Sequence, residues 1–497
     1  MARRWSEWFG SLMMLLGSNW ITLLGATLTT VSGLLIVAFL ILGFLNISTS
    51  PYIGIMAFLV LPGLFVFGLL LIPAGVYWER RARRKRGETE AAGDQAFPTI
   101  DFNKPRVRHL GAAVAILTVV NLLLISIVSY EAVVYMETVQ FCGQVCHTVM
   151  EPEYITYTGS PHARVECVDC HIGAGAPWFV RSKLSGVGQV FAVTFNTYDR
   201  PIPVPVENLR PSRETCEECH WPQKFTGDRI RVIENFAADE TNTPLTTVLL
   251  MHIGGGSQTR GIHGWHMEPG RETYYYPADR QRQTIPWVQV RQANGSTLEY
   301  RSGADEAKTP PAPEQRRLMD CIDCHNRPTH IYEDPDQAMN RALASGRISR
   351  GIAFIKKVGT EALQATELKK AGGTDRSAEL ERYVRDFYEK NQAEIYTSKR
   401  AEIDTAIREI QAIYRRNVFP KMNADWTTYP SNIGHERFPG CFRCHDSEHT
   451  SEGGDVIGQD CDKCHTILAQ DEAQPEILKQ LGIRSRDGSA LQEAGGN

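Results

Sequence analysis

Three long apolar stretches dominate the first part of the chain: Trp20 to Leu45, Ile53 to Trp78 and Leu110 to Met136. Each approaches or exceeds the ~20 residues a helix needs to cross the hydrocarbon core of a bilayer. None carries the polar face of a helix packed on a soluble core. A cleaved signal peptide does not fit either, because its apolar region runs only ~7–15 residues and two further apolar stretches follow the first. Beyond Met136 the pattern becomes mixed. Thr246–His252, Glu272–Tyr276 and Trp287–Arg291 predict short strands, and Ala293-Asn294-Gly295-Ser296 predicts a turn. Residues 337–419 predict helices, with Ile403, Ile407, Ile410 and Ile413 or Tyr414 on one face and Pro420 as the stop. That stripe is expected to be core. The tail after Gln480 is mostly polar.

Charge orients this plan. Arg3 and Arg4 precede the first span, and Arg80, Arg81, Arg83, Arg84, Lys85, Arg86, Lys104, Arg106 and Arg108 lie between the second and third. The loop from Asn46 to Tyr52 has no charge. The positive-inside rule puts the N-terminus and the basic loop in the cytoplasm of a bacterial cell, and everything after the third span outside its inner membrane. The basic run also suits anionic lipid head groups. No histidine lies inside a span, so a b-type haem within the bilayer is not predicted; His109 sits at the cytoplasmic edge. Glu131 is the one ionisable carboxylate in the third span, and an intramembrane acid is a functional candidate, with a solvated interfacial carboxylate as the alternative. Over all 497 residues, 42% are apolar and mean hydropathy is −0.26, which excludes a transporter spanning throughout. A net charge of −4 without a basic stripe excludes a nucleic-acid binder.

The 12 cysteines fall into six pairs, each followed at once by histidine. The first is Cys142-Gly-Gln-Val-Cys146-His147, and the second is Cys167-Val-Asp-Cys170-His171. Next come Cys216-Glu-Glu-Cys219-His220 and Cys321-Ile-Asp-Cys324-His325. Cys441-Phe-Arg-Cys444-His445 and Cys461-Asp-Lys-Cys464-His465 complete the set. Cys-x-x-Cys-His is the attachment signature of c-type haem. The two thiols form thioethers with the haem vinyls, and the adjacent histidine ligates the iron. The first site departs from the signature by one extra residue between its cysteines. Disulfides suit an oxidising compartment but leave the histidines unexplained. A zinc ribbon is the closest rival for the last two pairs, whose spacing it matches, yet zinc does not need both histidines.

Six covalently bound haem c are therefore expected, and their bulk supplies a core that so polar a segment lacks. The fold class expected is a three-helix membrane anchor plus a mostly irregular and α-helical multihaem cytochrome c domain, with a small β-rich insert and a helical insert. The divisions fall at 1–136 (anchor), 137–227 (haems one to three), 228–335 (β-rich, haem four), 336–420 (helical) and 421–497 (haems five and six, and the tail).

An electron-carrying haem has both axial positions filled, whereas a catalytic one keeps a position open. Beyond the six proximal histidines, the outer segment offers His162, His252, His263, His266, His330, His435 and His449, with Met150 as a further candidate. His162 precedes the second motif and is a strong distal candidate. One of His263 and His266 is expected to ligate. His330 and His449 follow motifs and His435 precedes one; a surface role is the alternative for each. His252, in an apolar strand-like run, is expected to be structural. These candidates are enough to saturate every iron, which favours electron transfer over turnover at iron.

The first motif with Thr148-Val149-Met150-Glu151-Pro152-Glu153-Tyr154, then Ser160-Pro161-His162, then Cys167 to Ile172, resembles the NapC/NirT/NrfH family. These are membrane-anchored multihaem cytochromes that oxidise quinol, and the resemblance covers about residues 128–225. Family members typically have one span and four haems. The longer plan here looks like the inner-membrane forms of metal-respiring bacteria, which feed periplasmic and extracellular acceptors. The resemblance implies a quinol dehydrogenase acting in anaerobic or extracellular respiration. Its partners would be menaquinol or ubiquinol and periplasmic cytochromes or a reductase; a homo-oligomer stays open. A methionine near the first motif ligates haem in one branch, and Met150 falls close to that place. A lysine lining the quinol site there corresponds to Lys183, while the acidic residue after it is Val190 here. The end of the third span, Tyr130 to Phe141, leads into the first motif. Lys183 is expected to hydrogen-bond quinol, with Glu131 or Glu137 taking a proton and Glu151 and Glu153 as other carboxylates. Lys183 as a snorkelling anchor is the alternative. Rival functions are a terminal reductase with an open haem site, for nitrite as an example, and a pure conduit from a partner dehydrogenase.

Overall fold

The computed structural model describes residues 19–44, 60–85, 103–145, 147–173, 175–206, 209–221, 227–254, 261–267, 270–304, 309–368 and 374–483. The chain divides into two compact units, residues 1–145 and 146–497.

The first unit contains α1 (Trp20–Phe44), α2 (Leu61–Lys85) and α3 (Pro105–Glu137). Each includes a stretch long and apolar enough to cross a membrane: Trp20–Phe39, Leu61–Glu79 and Val119–Glu137. Residues 45 and 53–59 of the expected spans lie outside the described residues. Lipid gives helices no hydrophobic drive to associate, so small residues and polar contacts do the work. α1 and α2 pack this way. A Cβ on Gly25 would stand 2.8 Å from the Gly68 carbonyl oxygen, and one on Gly75 would stand 2.8 Å from the Thr22 nitrogen. Asn19 donates to the Gly75 carbonyl at 2.9 Å. Ile36, Leu61 and Val128 close a small three-helix core, while Leu34, Leu70 and Ile116 point outward.

The second unit opens with α4 (His147–Thr158), α5 (Cys167–His171) and α6 (Ala176–Thr194). Two antiparallel sheets follow. β1 (Asp228–Phe236) and β2 (Pro244–His252) pair along their whole length, and β8 (His465–Glu472) adds to β2 from near the C-terminus. Between β2 and the second sheet sits the short helix α7 (Gly261–His266). The second sheet has the order β6-β3-β4-β5-β7, from β3 (Glu272–Tyr276), β4 (Trp287–Arg291), β5 (Thr297–Arg301), β6 (Arg317–Leu318) and β7 (Thr450–Ser451). The expected turn joins β4 to β5, with Gly295 in the left-handed region at φ 83°. The expected strands at residues 246–252, 272–276 and 287–291 are present. β1, β5, β6, β7 and β8 are additional; β8 pairs with β2, distant in sequence.

The helical region consists of α8 (Pro335–Ala344), α9 (Ile355–Ala365), α10 (Ser377–Asn391) and α11 (Arg400–Asn417), with a short helix at Ala393–Ser398. The α11 stripe Ile403, Ile407, Ile410, Ile413 and Tyr414 is buried against Met339, Leu343, Val358, Leu363 and Val384. Full burial of each such side chain contributes roughly 1.5–3 kcal/mol. This is the largest core of the second unit, and it contains none of the paired cysteines. α11 stops at Asn417, and Pro420 begins a 3₁₀ turn.

Candidate haem-attachment sites

Each described motif is folded as one tight turn, which brings its two cysteines to one side and sets the histidine beside them. Cys167–His171 is α5, and Cys321–Cys324 is a single helical turn. The His220 amide donates to Cys216 O at 2.7 Å, His325 to Cys321 O at 2.8 Å and His445 to Cys441 O at 3.1 Å. The Cys464 amide donates to Cys461 O at 3.1 Å. In the first motif, Phe141–Val145 forms a wider π turn, which accommodates the extra residue. The aspartate inside two motifs holds the turn closed: Asp169 accepts from the Glu166 amide at 3.1 Å, and Asp323 from the Asp320 amide at 2.7 Å. No disulfide joins the described cysteines. Among the described residues no group of three or more histidine, cysteine or acidic side chains converges to hold a bare metal ion.

The five motif histidines whose side chains are described are paired. His171 stands opposite His330 with ring centroids 6.2 Å apart. His220 stands opposite His162 at 5.9 Å, and His325 opposite His263 at 6.4 Å. His445 stands opposite His266 at 5.9 Å, and His465 opposite His435 at 6.2 Å. Metal–imidazole bonds are about 2 Å and the ring centre lies about 1 Å behind the nitrogen, so two rings across one iron should be about 6 Å apart. The five spacings fit a haem iron between each pair. Two further histidines are placed otherwise. His449, expected as a distal candidate, is buried with Nδ1 2.9 Å from Asp446 and Nε2 donating to Ile285 O at 2.7 Å. His252 has Nδ1 3.2 Å from Asp228 and Nε2 3.0 Å from Thr466.

In four of the ten paired histidines the other ring nitrogen is fixed by a carbonyl, which selects the tautomer whose free nitrogen can ligate. Nδ1 donates from His162 to Pro328 O at 3.1 Å, from His266 to Ile262 O at 2.7 Å and from His445 to Gly458 O at 3.1 Å. His330 Nδ1 donates to Glu153 O at 2.9 Å and lies 3.1 Å from the Glu153 carboxylate. Tyr332 and Arg327 share that carboxylate, so Glu153 is engaged at the second site rather than free as a base. Burial pushes His171, His263, His266, His325, His330, His445 and His465 below the usual imidazole range. Neutral imidazole is the form that ligates metal. Burial likewise pushes the thiols of Cys324 and Cys444 up, to about 11 and about 12.

The attachment segments lie in chain order. Cys170 is near Cys216 and Cys219, and Cys216 is next to Cys321. Cys324 is beside Cys441, and Cys441 beside Cys464. Segments two to six thus form one file. A polar brace spans segments four and five. Asp323, 2% exposed, accepts from Tyr275 at 2.7 Å, Arg282 at 2.7 Å and Arg317 at 2.8 Å. Arg443, inside the fifth motif, donates to Asp323 O at 2.7 Å and Arg282 O at 2.8 Å. The sequence reading missed this brace; its one local signal was the acid before the second cysteine.

Cys146 lies outside the described residues, as does the side chain of His147. Met150 is half-buried on α4. Glu131 is exposed on α3, Glu137 half-buried at its end, and Glu151 exposed on α4. Lys183 lies on α6 with Nζ 4.8 Å from the centre of the Phe179 ring.

Residues 104–203 match the family model described as the NapC/NirT cytochrome c family, N-terminal region. The cytochrome c-type protein ImcH of Geobacter sulfurreducens is 41% identical over 477 residues, covering 95% of this chain and 93% of the relative. No solved structure matches the chain. With a likeness that runs nearly end to end, this membrane-anchored electron-transfer chain belongs to the NapC/NirT family of c-type cytochromes.

Proposed function

We propose that the chain is a hexahaem quinol dehydrogenase of the bacterial inner membrane, with its N-terminus cytoplasmic and its second unit periplasmic. It oxidises menaquinol or ubiquinol and delivers electrons to periplasmic redox partners, cytochromes or a reductase, in anaerobic or extracellular respiration. The observation that carries this reading is the set of five histidine pairs, each joining one motif histidine to one from elsewhere at 5.9–6.4 Å. His171/His330, His220/His162, His325/His263, His445/His266 and His465/His435 would then hold five of the haem irons, with His147 and Met150 the candidates at the first site. Bound haem supplies one-electron transfer. Filled axial positions suit that role and oppose the terminal-reductase reading, which needs an open one.

The chain's own residues handle the substrate. Quinol becomes quinone by releasing two electrons and two protons, so its site needs hydrogen-bond donors and a proton acceptor. Lys183 donates to a quinol oxygen. Glu131 and Glu137, at the end of a spanning helix, take the protons and pass them to water outside. The test uses the purified full chain in lipid with a menaquinol analogue and an artificial electron acceptor. Reduction without any partner dehydrogenase is expected, as is a mass raised by six haems. Lys183→Leu should abolish turnover with an unchanged haem spectrum. Turnover equal to the parent removes Lys183, and no reduction by quinol alone returns the function to a conduit.

A further inference from the structure

We infer that α6 lies flat on the membrane surface, with its apolar stripe in the acyl chains and its basic residues among anionic head groups. Val180, Leu184, Val187, Phe191 and Phe195 follow one another at helical spacing and are 54%, 70%, 55%, 60% and 68% exposed. A run of five large exposed apolar residues on one face is unusual on a water-facing helix and marks a surface with an occupant. The opposite edge explains why this face looks outward: Val193, with Tyr198, Ile202 and Val204 just beyond the helix, packs against the cluster of Val149, Phe419 and Met422.

The chemistry around the stripe names the occupant. α6 contains no Asp or Glu. Arg181 and Lys183 flank the stripe on either side, one turn from its start. Trp178 stands within 5.7 Å of the Arg181 guanidinium, and Arg200 rests on Tyr198 at 4.2 Å. Cationic and aromatic side chains bordering an apolar face are the pattern of helices that lie in the interface plane, where long basic side chains reach back to the phosphates. A second protein would be expected to leave a mixed polar rim instead, and a wholly spanning helix would not carry two cations mid-turn. Chain connectivity agrees: α3 ends its apolar run at Glu137 and α6 begins at Ala176 of the same polypeptide, so the bilayer is always within reach. This inference does not depend on quinol oxidation, although a lipid-embedded α6 delivers Lys183 to the depth where quinol resides.

The test is spin labelling of the full holoprotein in nanodiscs containing anionic lipid. Every native cysteine is committed to haem, so each variant offers one free thiol. Val180→Cys, Val187→Cys and Phe191→Cys are labelled, with Gln189→Cys on the other side of the helix as the control. The stripe labels should be more accessible to oxygen than to a water-soluble nickel chelate, all at one shallow depth, and the control should show the reverse. Preference for the chelate at every position overturns the inference. So does a depth gradient from Val180 to Phe191 (a spanning helix), inaccessibility to both agents (burial in protein or against haem), or spin–spin broadening (a second copy). Glu137→Gln, which tests quinol chemistry and lies outside α6, should leave these accessibilities unchanged, so the two readings fail separately.

Discussion

Replacing Asp323 with asparagine tests the brace between the fourth and fifth attachment segments. The carboxylate accepts from Tyr275, Arg282 and Arg317 through one oxygen and from the Asp320 amide through the other. Asparagine can keep its carbonyl toward the three side chains, but then its NH2 faces the Asp320 amide, donor against donor. The two arginine bonds lose the charge of their acceptor, at about 1 kcal/mol each, and the capping bond is lost at about another 1 kcal/mol. Arg282 and Arg317 keep 19% and 30% exposure and recover part of that through water. The net cost is therefore about 2–3 kcal/mol, below the ~3–5 kcal/mol of a fully buried pair. Thioether linkages are covalent, so the haem content read from the mass should equal that of the parent. The change should appear as local opening. Hydrogen exchange across residues 317–330 of the full holoprotein should accelerate about 30- to 150-fold, while exchange in α8–α11 stays as in the parent. Adding Arg317→Gln should cost less than the sum of the two single changes, because it removes a cation left without its partner. Protection within about threefold of the parent would refute the reasoning, since the brace would then contribute nothing to holding the two segments together.

Three further outcomes follow from the same geometry. His330→Gly should leave the iron facing His171 without its second ligand, giving a high-spin ferric signal that added imidazole removes; an all-low-spin spectrum would mean that another residue ligates there. His449→Asn should leave every iron low-spin, because both ring nitrogens already bond within the protein, and should cost roughly 1–3 kcal/mol of local stability through the orphaned Ile285 carbonyl and Asp446; a new high-spin signal would make His449 a ligand. Burial pushes the hydroxyls of Tyr414 and Tyr429 up to about 12, from 10.0. A folded-state pKa raised this way gives stability that is complete below about pH 10 and lost as pH climbs toward about 12. Their phenolate absorbance should therefore rise together with loss of helical circular dichroism, and early phenolate formation in a still-helical protein would contradict it.

What the sequence made legible was what is local. The spans needed only length and apolar content, and Ile403, Ile407, Ile410 and Ile413 announced a core face through helical period alone. The six cysteine–histidine motifs are contiguous, so they could be read directly. The partners of the motif histidines were not readable, because His171 meets His330 and His325 meets His263 across stretches of chain whose path no local pattern fixes. His449 illustrates the difficulty. It follows the fifth motif at a distance that suits a ligand, yet Asp446 and Ile285 O claim its two nitrogens. β8 escaped for the same reason: its edge is completed by β2, more than two hundred positions earlier.

The origin of the second histidines has a consequence for how this chain assembles. His162 precedes the second motif but stands opposite the third motif's His220, and His330 follows the fourth motif but stands opposite the second motif's His171. His435 precedes the fifth motif and stands opposite the sixth motif's His465, while α7 presents His263 to the fourth and His266 to the fifth. Several pairs are thus completed by residues that a neighbouring motif holds in place. With these pairs as the axial ligands proposed above, covalent attachment can proceed one site at a time, but axial coordination cannot, because forming one pair positions the histidine of the next. Such coupling makes the file of attachment segments cooperative. Cys216→Ala with Cys219→Ala should therefore disturb ligation beyond the third site. Loss of one haem with five undisturbed low-spin centres would show the sites to be independent. A high-spin fraction at the second or fourth site, detected by magnetic circular dichroism, is the outcome that shared segments require.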